Sequence, residues 1–127
     1  MEKDVLLVDD EALVLKTLSQ VFLSRGYSPH TAGDGREALE ILAQRRIMVI
    51  FVDLRMPGMD GMTLCAEIKK IAPESCVYAL SAFVSAFRPD QFAEAGFDGY
   101  FSKPFKVDAI IEACEDAFDK VRLWSAE

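Results

Sequence analysis

The sequence predicts an α/β fold in which helices cover both faces of a parallel sheet. Three observations support this fold class. Short apolar runs of strand length alternate five times with helical patterns along the 127 residues, as parallel strands joined by crossover helices require. Most of these runs are apolar at consecutive positions, which is typical of strands buried on both faces. No repeat, low-complexity tract or linker interrupts the alternation.

The predicted strands are short runs bounded by polar or turn-forming residues. They cover Val5–Val8, Tyr27–Thr31, Ile47–Val52, Cys76–Leu80 and Gly99–Phe101. Since crossovers between parallel strands are right-handed, this order leaves few possible topologies.

The segments between the strands carry signals for the starts and ends of helices. Asp34 and Asp60 are candidate N-caps of the second and third helices, because their carboxylates can accept the free backbone N–H groups there. Pro89 suits the first turn of a short fourth helix, where its missing N–H group has no effect. The expected helix ends are Gly26, Ile71, Gly96 and, for a fifth helix that starts near Val107, Leu123.

Composition and charge restrict the classes of function. With 51% hydrophobic residues, residues 1–127 are expected to form one domain with its own core. The longest apolar run, Ile47–Val52, is far shorter than the ~20 residues that span a bilayer, and no signal peptide is evident, so we expect a cytoplasmic protein without a membrane partner. A net charge of -7 argues against direct nucleic-acid binding. Cys65, Cys76 and Cys114 form no CxxC pair and are expected to be reduced.

Three acidic residues at the ends of two apolar runs are the strongest functional signal. Asp9 and Asp10 follow the first predicted strand, and Asp53 follows the third. If these strands are neighbours, the carboxylates converge at the carboxyl edge of the sheet, where such folds bind ligands. Each carboxylate pair at about 4 Å repels by roughly 4 kcal/mol at an effective dielectric of about 20, so the cluster needs a proton or a divalent cation. Oxygen ligands favour Mg²⁺ or a close substitute.

Four short motifs resemble, in order and spacing, the receiver domain of bacterial two-component response regulators. They are VDDE at 8–11, DLRMPGMDG at 53–61, SA at 81–82 and KPF at 103–105. The resemblance covers essentially the whole chain and implies a flavodoxin-like (βα)5 three-layer sandwich, with a five-stranded parallel sheet of order 2-1-3-4-5. It also implies a switch that accepts a phosphoryl group from a partner histidine kinase or phosphotransfer protein and acts on a downstream effector domain or protein.

The resemblance implies a role for each residue at the acidic edge. Asp53 is the expected phosphoacceptor. Asp10 is the expected direct Mg²⁺ ligand, Asp9 a ligand mainly through water, and the backbone carbonyl of Arg55 a further ligand. Lys103 is expected to place its ammonium against Asp53 and then against the phosphoryl group, where its charge stabilises the transferred group. A cis peptide bond is expected after Lys103, before Pro104.

The resemblance also implies a second set of residues, which is expected to transmit the effect of phosphorylation from the acidic edge to the output surface. Ser81 can donate a hydrogen bond to a phosphoryl oxygen and move inward, which would let Tyr100 turn into the vacated space. The expected output surface is the face formed by helix 4, strand 5 and helix 5. Arg55 and Phe83, two residues beyond Asp53 and Ser81, are bulky, so we expect them to affect the access of water or of the kinase, in a direction that the sequence leaves open.

Two other functions stay open at this point. A Mg²⁺-dependent phosphatase or phosphotransferase of the haloacid-dehalogenase type also forms an aspartyl phosphate, but its nucleophile lies in a DxD motif, and the residues at 53–55 lack the second acid. A degenerate receiver that binds partners without phosphorylation is disfavoured, because every chemical position is filled. The expected protein is a phosphoacceptor that assists its own phosphorylation and dephosphorylation rather than a turnover enzyme.

Overall fold

The structure is a computed structural model that describes the backbone of residues 3–126 and the side chains of residues 3–120. Its strands are β1 (Asp4–Val8), β2 (Ser28–Ala32), β3 (Val49–Val52), β4 (Cys76–Ser81) and β5 (Gly99–Ser102). Its α-helices are α1 (Ala12–Ser24), α2 (Gly35–Gln44), α3 (Gly61–Ile71), α4 (Pro89–Ala95) and α5 (Val107–Ala126), and a short 3-10 helix (Val84–Ala86) precedes α4.

The five strands form one parallel sheet in the order β2-β1-β3-β4-β5. This order confirms the predicted fold class and topology. β1 and β3 are neighbours, and Val8 lies opposite Val52 in their register. At the other side of the sheet, Ser81 of β4 lies opposite Ser102 of β5. The residues that follow these four positions therefore emerge together at the carboxyl edge.

Side chains of the central strands alternate between two apolar layers. Along β1, Val5 and Leu7 point to the layer that contains α1 and α5, whereas Leu6 and Val8 point to the layer that contains α2, α3 and α4. Each large side chain that is fully buried stabilises the fold by roughly 1.5–3 kcal/mol. Because both faces are covered, all four residues of β3 are buried, which explains the continuous apolar run in the sequence.

The caps confirm the predicted starts of α2 and α3 and the predicted end of α4. The Asp34 carboxylate accepts the Glu37 N–H, and the Asp60 carboxylate accepts the Thr63 N–H, each at 2.8 Å. Gly96 follows α4 with a φ of 101°, a left-handed conformation that suits glycine. The last helix continues to Ala126, three residues beyond the expected end.

Two strands begin later in the structure than the sequence predicted. Tyr27 was expected to begin the second strand, but β2 begins at Ser28. The Tyr27 N–H instead donates to the Phe22 carbonyl at 3.0 Å, next to the end of α1, and its ring packs against Phe22. Ile47 was expected in the third strand, but it precedes β3, and its carbonyl accepts the buried Ser75 hydroxyl at 2.8 Å.

The three cysteines are free and buried, as expected. Burial raises the pKa of the Cys65 thiol and of the Cys114 thiol to about 12, so both stay protonated near neutral pH. Within the described part of the chain, no helix is both long and apolar enough to cross a membrane.

Candidate functional site

The strand register brings the three acidic residues together at the carboxyl edge. The Asp9 N–H donates to the Ala32 carbonyl at 3.1 Å, and the Asp53 N–H donates to the Val8 carbonyl at 2.9 Å, so both aspartates are fixed by the sheet. One carboxylate oxygen from each of Asp9, Asp10 and Asp53 lies within 4.8 Å of the other two. Asp9 and Asp53 are buried, whereas Asp10 is exposed. The convergence inferred from the sequence is therefore present.

Lys103 reaches this cluster from the end of β5. Its backbone N–H donates to the Ser81 carbonyl at 3.0 Å, and the following peptide bond to Pro104 is cis, as expected. Its ammonium donates to Asp9 Oδ2 at 2.8 Å, and its positive charge also acts on Asp53. The expected placement of the ammonium against Asp53 stays a prediction. Asp9 is the more deeply buried of the two acids, and an ionised buried carboxylate gains most from a directly bonded cation.

The pKa of Asp53 is raised above its ordinary value. Burial is the largest cause, because it disfavours the charged carboxylate, and the negative charge of Asp9 is the second. A hydrogen bond from Ser81 and the charge of Lys103 act in the opposite direction, and Asp10 adds a further small increase. The edge of the sheet thus holds more negative charge than its own lysine neutralises.

The donor set fits a hard divalent cation. The three converging side chains offer carboxylate oxygens only, which are the ligands that Mg²⁺ takes in proteins. One of them, Asp10, is exposed, so a cation could be reached from solvent and keep bound water there. A cation at this point would offset the repulsion that raises the pKa of Asp53.

Ser81 lies between the acidic cluster and the loop that follows β4. Its side chain is fully buried, and its hydroxyl interacts with Asp53. The Phe83 N–H donates to the same hydroxyl oxygen at 3.1 Å. A change in the direction of this hydroxyl therefore alters the bonding of both the carboxylate and the loop.

Tyr100 lies on the edge strand β5 and points outward, with 44% of its surface exposed. Its ring stacks on Phe92 of α4, with centroids 4.5 Å apart and an angle of 22° between the planes. Phe92 is buried and also packs edge-on against Phe97. Tyr100 is thus in contact with the helix whose surface was expected to respond, and an inward turn of its ring would break this stack.

Two features of the site were missed in the sequence. Gly61 begins α3 so close to β3 that an added Cβ would lie 2.8 Å from the Leu54 Cα, and its N–H donates to the Leu54 carbonyl at 2.9 Å. The second feature is a direct contact of the Arg55 guanidinium with the Phe83 ring, 4.1 Å from its centroid. Arg55 and Phe83 were named as neighbours of the site in the sequence analysis. Arg55 lies two residues after Asp53 and Phe83 two residues after Ser81, and this equal spacing at the ends of adjacent strands is a signal that could have suggested their contact.

The chain is thus a doubly wound α/β domain with a cluster of three acidic side chains at the carboxyl edge of its sheet. The model of the family described as the response regulator receiver domain matches residues 5–115. The chain belongs to this family. It is 40% identical over 91% of its length to the transcriptional regulatory protein GlrR of Escherichia coli K12, of which it spans 26%. It is 31% identical over 89% of its length to the sporulation initiation phosphotransferase F of Bacillus subtilis, of which it spans 91%.

Solved structures agree with this assignment. A response regulator receiver domain from Clostridium thermocellum superposes with a TM-score of 0.88 at 27% identity and covers 95% of this chain and 98% of that one. The receiver domain of the Francisella response regulator 1452 gives 0.87 at 28% identity, with 94% and 99% covered. NtrX from Brucella abortus gives 0.86 at 30% identity, but this chain corresponds to only 29% of that protein. The chain therefore spans between about a quarter and nearly all of the length of its relatives.

Proposed function

We propose that the chain is a phosphorylation-dependent signalling switch that accepts a phosphoryl group on Asp53 from a partner histidine kinase or phosphotransfer protein. The observation that carries the proposal is the grouping of Asp9, Asp10 and Asp53 within 4.8 Å of one another, with the Lys103 ammonium bonded to the same cluster. Membership of the receiver family supports it. We propose further that residues 1–127 form one receiver domain and that it acts in the cytoplasm.

We propose that Mg²⁺ is held by Asp9, Asp10 and Asp53, together with the backbone carbonyl of Arg55. The oxygen-only donor set supports this choice. When bound, the ion supplies positive charge to the oxygens of the transferring phosphoryl group. Asp9 has a second function, since it also accepts the hydrogen bond that holds the Lys103 ammonium in the site.

Asp53 provides the nucleophile. One of its oxygens forms a bond to phosphorus while the bond from phosphorus to the donor nitrogen of a phosphohistidine breaks, and the electron pair stays on that nitrogen. A carboxylate is a weak nucleophile, so the reaction depends on holding it in line and on neutralising the charge of the phosphoryl group. The fixed backbone of Asp53 supplies the first requirement. The Lys103 ammonium contributes to the second.

The switch begins at Ser81. Its hydroxyl turns to donate to a phosphoryl oxygen, which changes the acceptor available to the Phe83 N–H and draws in the loop after β4. Tyr100 responds because it lies on β5, which pairs with the strand that carries Ser81, and because its ring stacks on Phe92 of α4. The α4–β5–α5 surface then presents a different face to an effector domain or protein. The chain assists its own phosphorylation and dephosphorylation in this scheme and is not a turnover enzyme.

Phosphoryl uptake from acetyl phosphate tests the proposal. Intact-mass spectrometry is expected to show one base-labile phosphoryl group with Mg²⁺ and none with a chelator. Asp53→Asn should remain unlabelled. Asp34→Asn is the matched control, since asparagine also caps helices well and the exposed Asp34 carboxylate accepts an N–H group of α2. Equal labelling of Asp53→Asn, or labelling in the chelator, contradicts the assignment. Absence of labelling in the wild-type chain would favour the receiver that acts without phosphorylation.

A further inference from the structure

A lysine of α3 holds the loop that follows α4. The Lys69 ammonium donates to Asp98 Oδ2 at 3.0 Å and to the Ser75 carbonyl at 2.6 Å. The same Asp98 oxygen accepts the Val77 N–H at 2.8 Å, and the Asp98 N–H donates to the Val77 carbonyl at 2.7 Å. These bonds tie the loop to β4 and to the turn before it. We call the contacts of Lys69 with Asp98 and Ser75 the Lys69 clamp.

The clamp is anchored to the sheet and packs against the end of α4. The buried Ser75 hydroxyl donates to the Ile47 carbonyl, near the start of β3, at 2.8 Å. Gly96, which ends α4, lies on the stem of Lys69, since an added Cβ would be 2.9 Å from the Lys69 Cγ atom. The Lys69 side chain keeps only 22% of its surface exposed, so its ion pair with Asp98 is screened less than a surface pair. The C-terminal end of α4 is thus fixed against the body of the domain.

The N-terminal end of α4 is held differently. Among the described residues, its polar contacts are local. The Arg88 N–H donates to the Gln91 side chain at 2.8 Å, and the Arg88 guanidinium donates to Asp90 at 3.1 Å. Pro89 and Asp90 are exposed, and Phe92, at the middle of the helix, is its buried residue. This end can therefore move with the loop that precedes it.

We propose that α4 responds to phosphorylation by tilting about its C-terminal end, with the Lys69 clamp as the fixed point and Lys69 as a positioning residue of the switch. The inference rests on the proposed function, in which Ser81 draws in the loop after β4. That loop leads into the N-terminal end of α4, so the pull acts at one end of the helix while the other end stays in place. Phe92 lies between the two ends, so a tilt moves its ring away from Tyr100 and breaks the stack. Tyr100 is then free to turn inward.

Without the clamp, the same pull would move the whole helix. Helix α4 has seven residues, about 10 Å at 1.5 Å per residue, and is short enough to shift as one body. Part of the motion would then be taken up at Phe97 and Asp98, and the ring contact with Tyr100 would change less. The clamp therefore directs the motion to the end of α4 that lies nearest the phosphorylation site.

Beryllofluoride, which mimics a phosphoryl group, provides the test by NMR spectroscopy with Mg²⁺ present. If α4 tilts about its C-terminal end, the amide shifts that beryllofluoride induces in the wild-type chain should be largest at Asp90 and Gln91. They should be small at Phe97 and Asp98. Residual dipolar couplings should show that the α4 axis changes direction relative to α3, which a shift of the whole helix would not produce.

Two variants remove the clamp in different ways. Lys69→Met keeps the length of the side chain and removes the ammonium. In this variant the shift at Phe97 should become as large as the shifts at the other end of the helix, and most of the shift at Tyr100 should be lost. Asp98→Asn should have the same effect, because asparagine still accepts a backbone N–H group but no longer attracts the ammonium with a full charge. The double variant should add nothing to the single changes. Lys70→Met is the matched control, since the exposed Lys70 forms its ion pair within α3.

Amide hydrogen exchange tests the clamp without beryllofluoride. The Val77 and Asp98 amides should exchange roughly ten-fold faster in Lys69→Met, because hydrogen bonds to a charged group hold the loop closed. Equal shifts along the whole of α4 in wild type, without a change in the direction of its axis, overturn the tilt. Wild-type shifts or wild-type exchange in Lys69→Met overturn the role of the clamp. An absence of any beryllofluoride-induced shift in wild type overturns the proposed function itself, which distinguishes the two failures.

Discussion

Replacement of Lys103 by methionine should strengthen Mg²⁺ binding. The Lys103 ammonium lies 2.8 Å from Asp9 Oδ2, and Asp9 is also one of the three residues whose oxygens converge. A metal ion held as proposed would share the Asp9 carboxylate with Lys103, and the two cations would repel each other. Methionine keeps most of the side-chain volume and removes the charge, so the variant reports on electrostatics rather than on packing.

The size of the effect follows from Coulomb's law. Two cations that share a carboxylate lie roughly 5 Å apart, and at the dielectric constant of water a +2 and a +1 charge at that distance repel by about 1–2 kcal/mol. In wild type the ammonium can move away and recover part of this energy. The dissociation constant of Mg²⁺ should therefore fall by about three- to ten-fold in Lys103→Met, since about 1.4 kcal/mol corresponds to a factor of ten.

Isothermal titration calorimetry at pH 8 measures this change. A high pH is needed because Lys103 lowers the pKa of Asp53, and its removal would otherwise let protons compete with the metal ion. Lys106→Met is the matched control, since Lys106 is an exposed lysine nearby. An unchanged or weaker affinity in Lys103→Met would show that the ammonium does not oppose the metal ion, and the charge argument would then be refuted.

Three further predictions concern stability and switching. The pKa of Asp53 is raised in the folded chain, so ionisation of this carboxylate destabilises the fold. The stability is lost as the pH rises from the ordinary pKa of an aspartate through the raised pKa of Asp53. Urea unfolding in a chelator should therefore show Asp53→Asn to be more stable at pH 7 by on the order of 1 kcal/mol, with the gain lost at lower pH. Gly61→Ala should lower the free energy of unfolding by about 1–3 kcal/mol in the same assay, because its Cβ would collide with the backbone at Leu54. Ser81→Ala should still accept a phosphoryl group but lose the NMR shifts at Tyr100 that beryllofluoride induces in wild type.

Each of these predictions has an outcome that would contradict it. A destabilised Asp53→Asn at pH 7 would mean that its carboxylate is not under electrostatic strain. A fully stable Gly61→Ala would place α3 farther from β3 than the structure shows. Wild-type shifts at Tyr100 in Ser81→Ala, at matched occupancy, would disprove the relay through the hydroxyl and leave the role of Asp53 untouched.

The fold class and the positions of the acidic residues at strand ends could be predicted because both depend on local patterns, whereas the strand order was implied by the resemblance to the receiver family. Apolar runs set the strands, and the position of Asp9 and Asp53 directly after two of them determines where their carboxylates lie. The caps at Asp34 and Asp60 were equally local, since each carboxylate binds an N–H group three residues away. Such features need no knowledge of distant parts of the chain.

The features that were missed depend on contacts between distant residues. The sequence gives no measure of how deeply each acid is buried, so it could not distinguish Asp9 from Asp53 as the partner of Lys103, which is 94 residues away from Asp9. The start of β2 was misplaced for a similar reason. Tyr27 has the β propensity of a strand residue, but packing against Phe118 fixes its ring in the core.

The charges of the site explain why Lys103 is expected to exchange partners. With three ionised carboxylates and one ammonium, the edge carries two net negative charges, which a divalent cation would balance. Phosphorylation replaces the single negative charge of Asp53 by about -1.5 to -2 charges. The site that a divalent cation had balanced then carries excess negative charge on the phosphoryl oxygens. The ammonium then gains more from the phosphoryl oxygens than from an Asp9 already shared with the metal ion. Lys103→Met should therefore strengthen metal binding and yet weaken the phosphorylated state, two effects of opposite sign from one side chain.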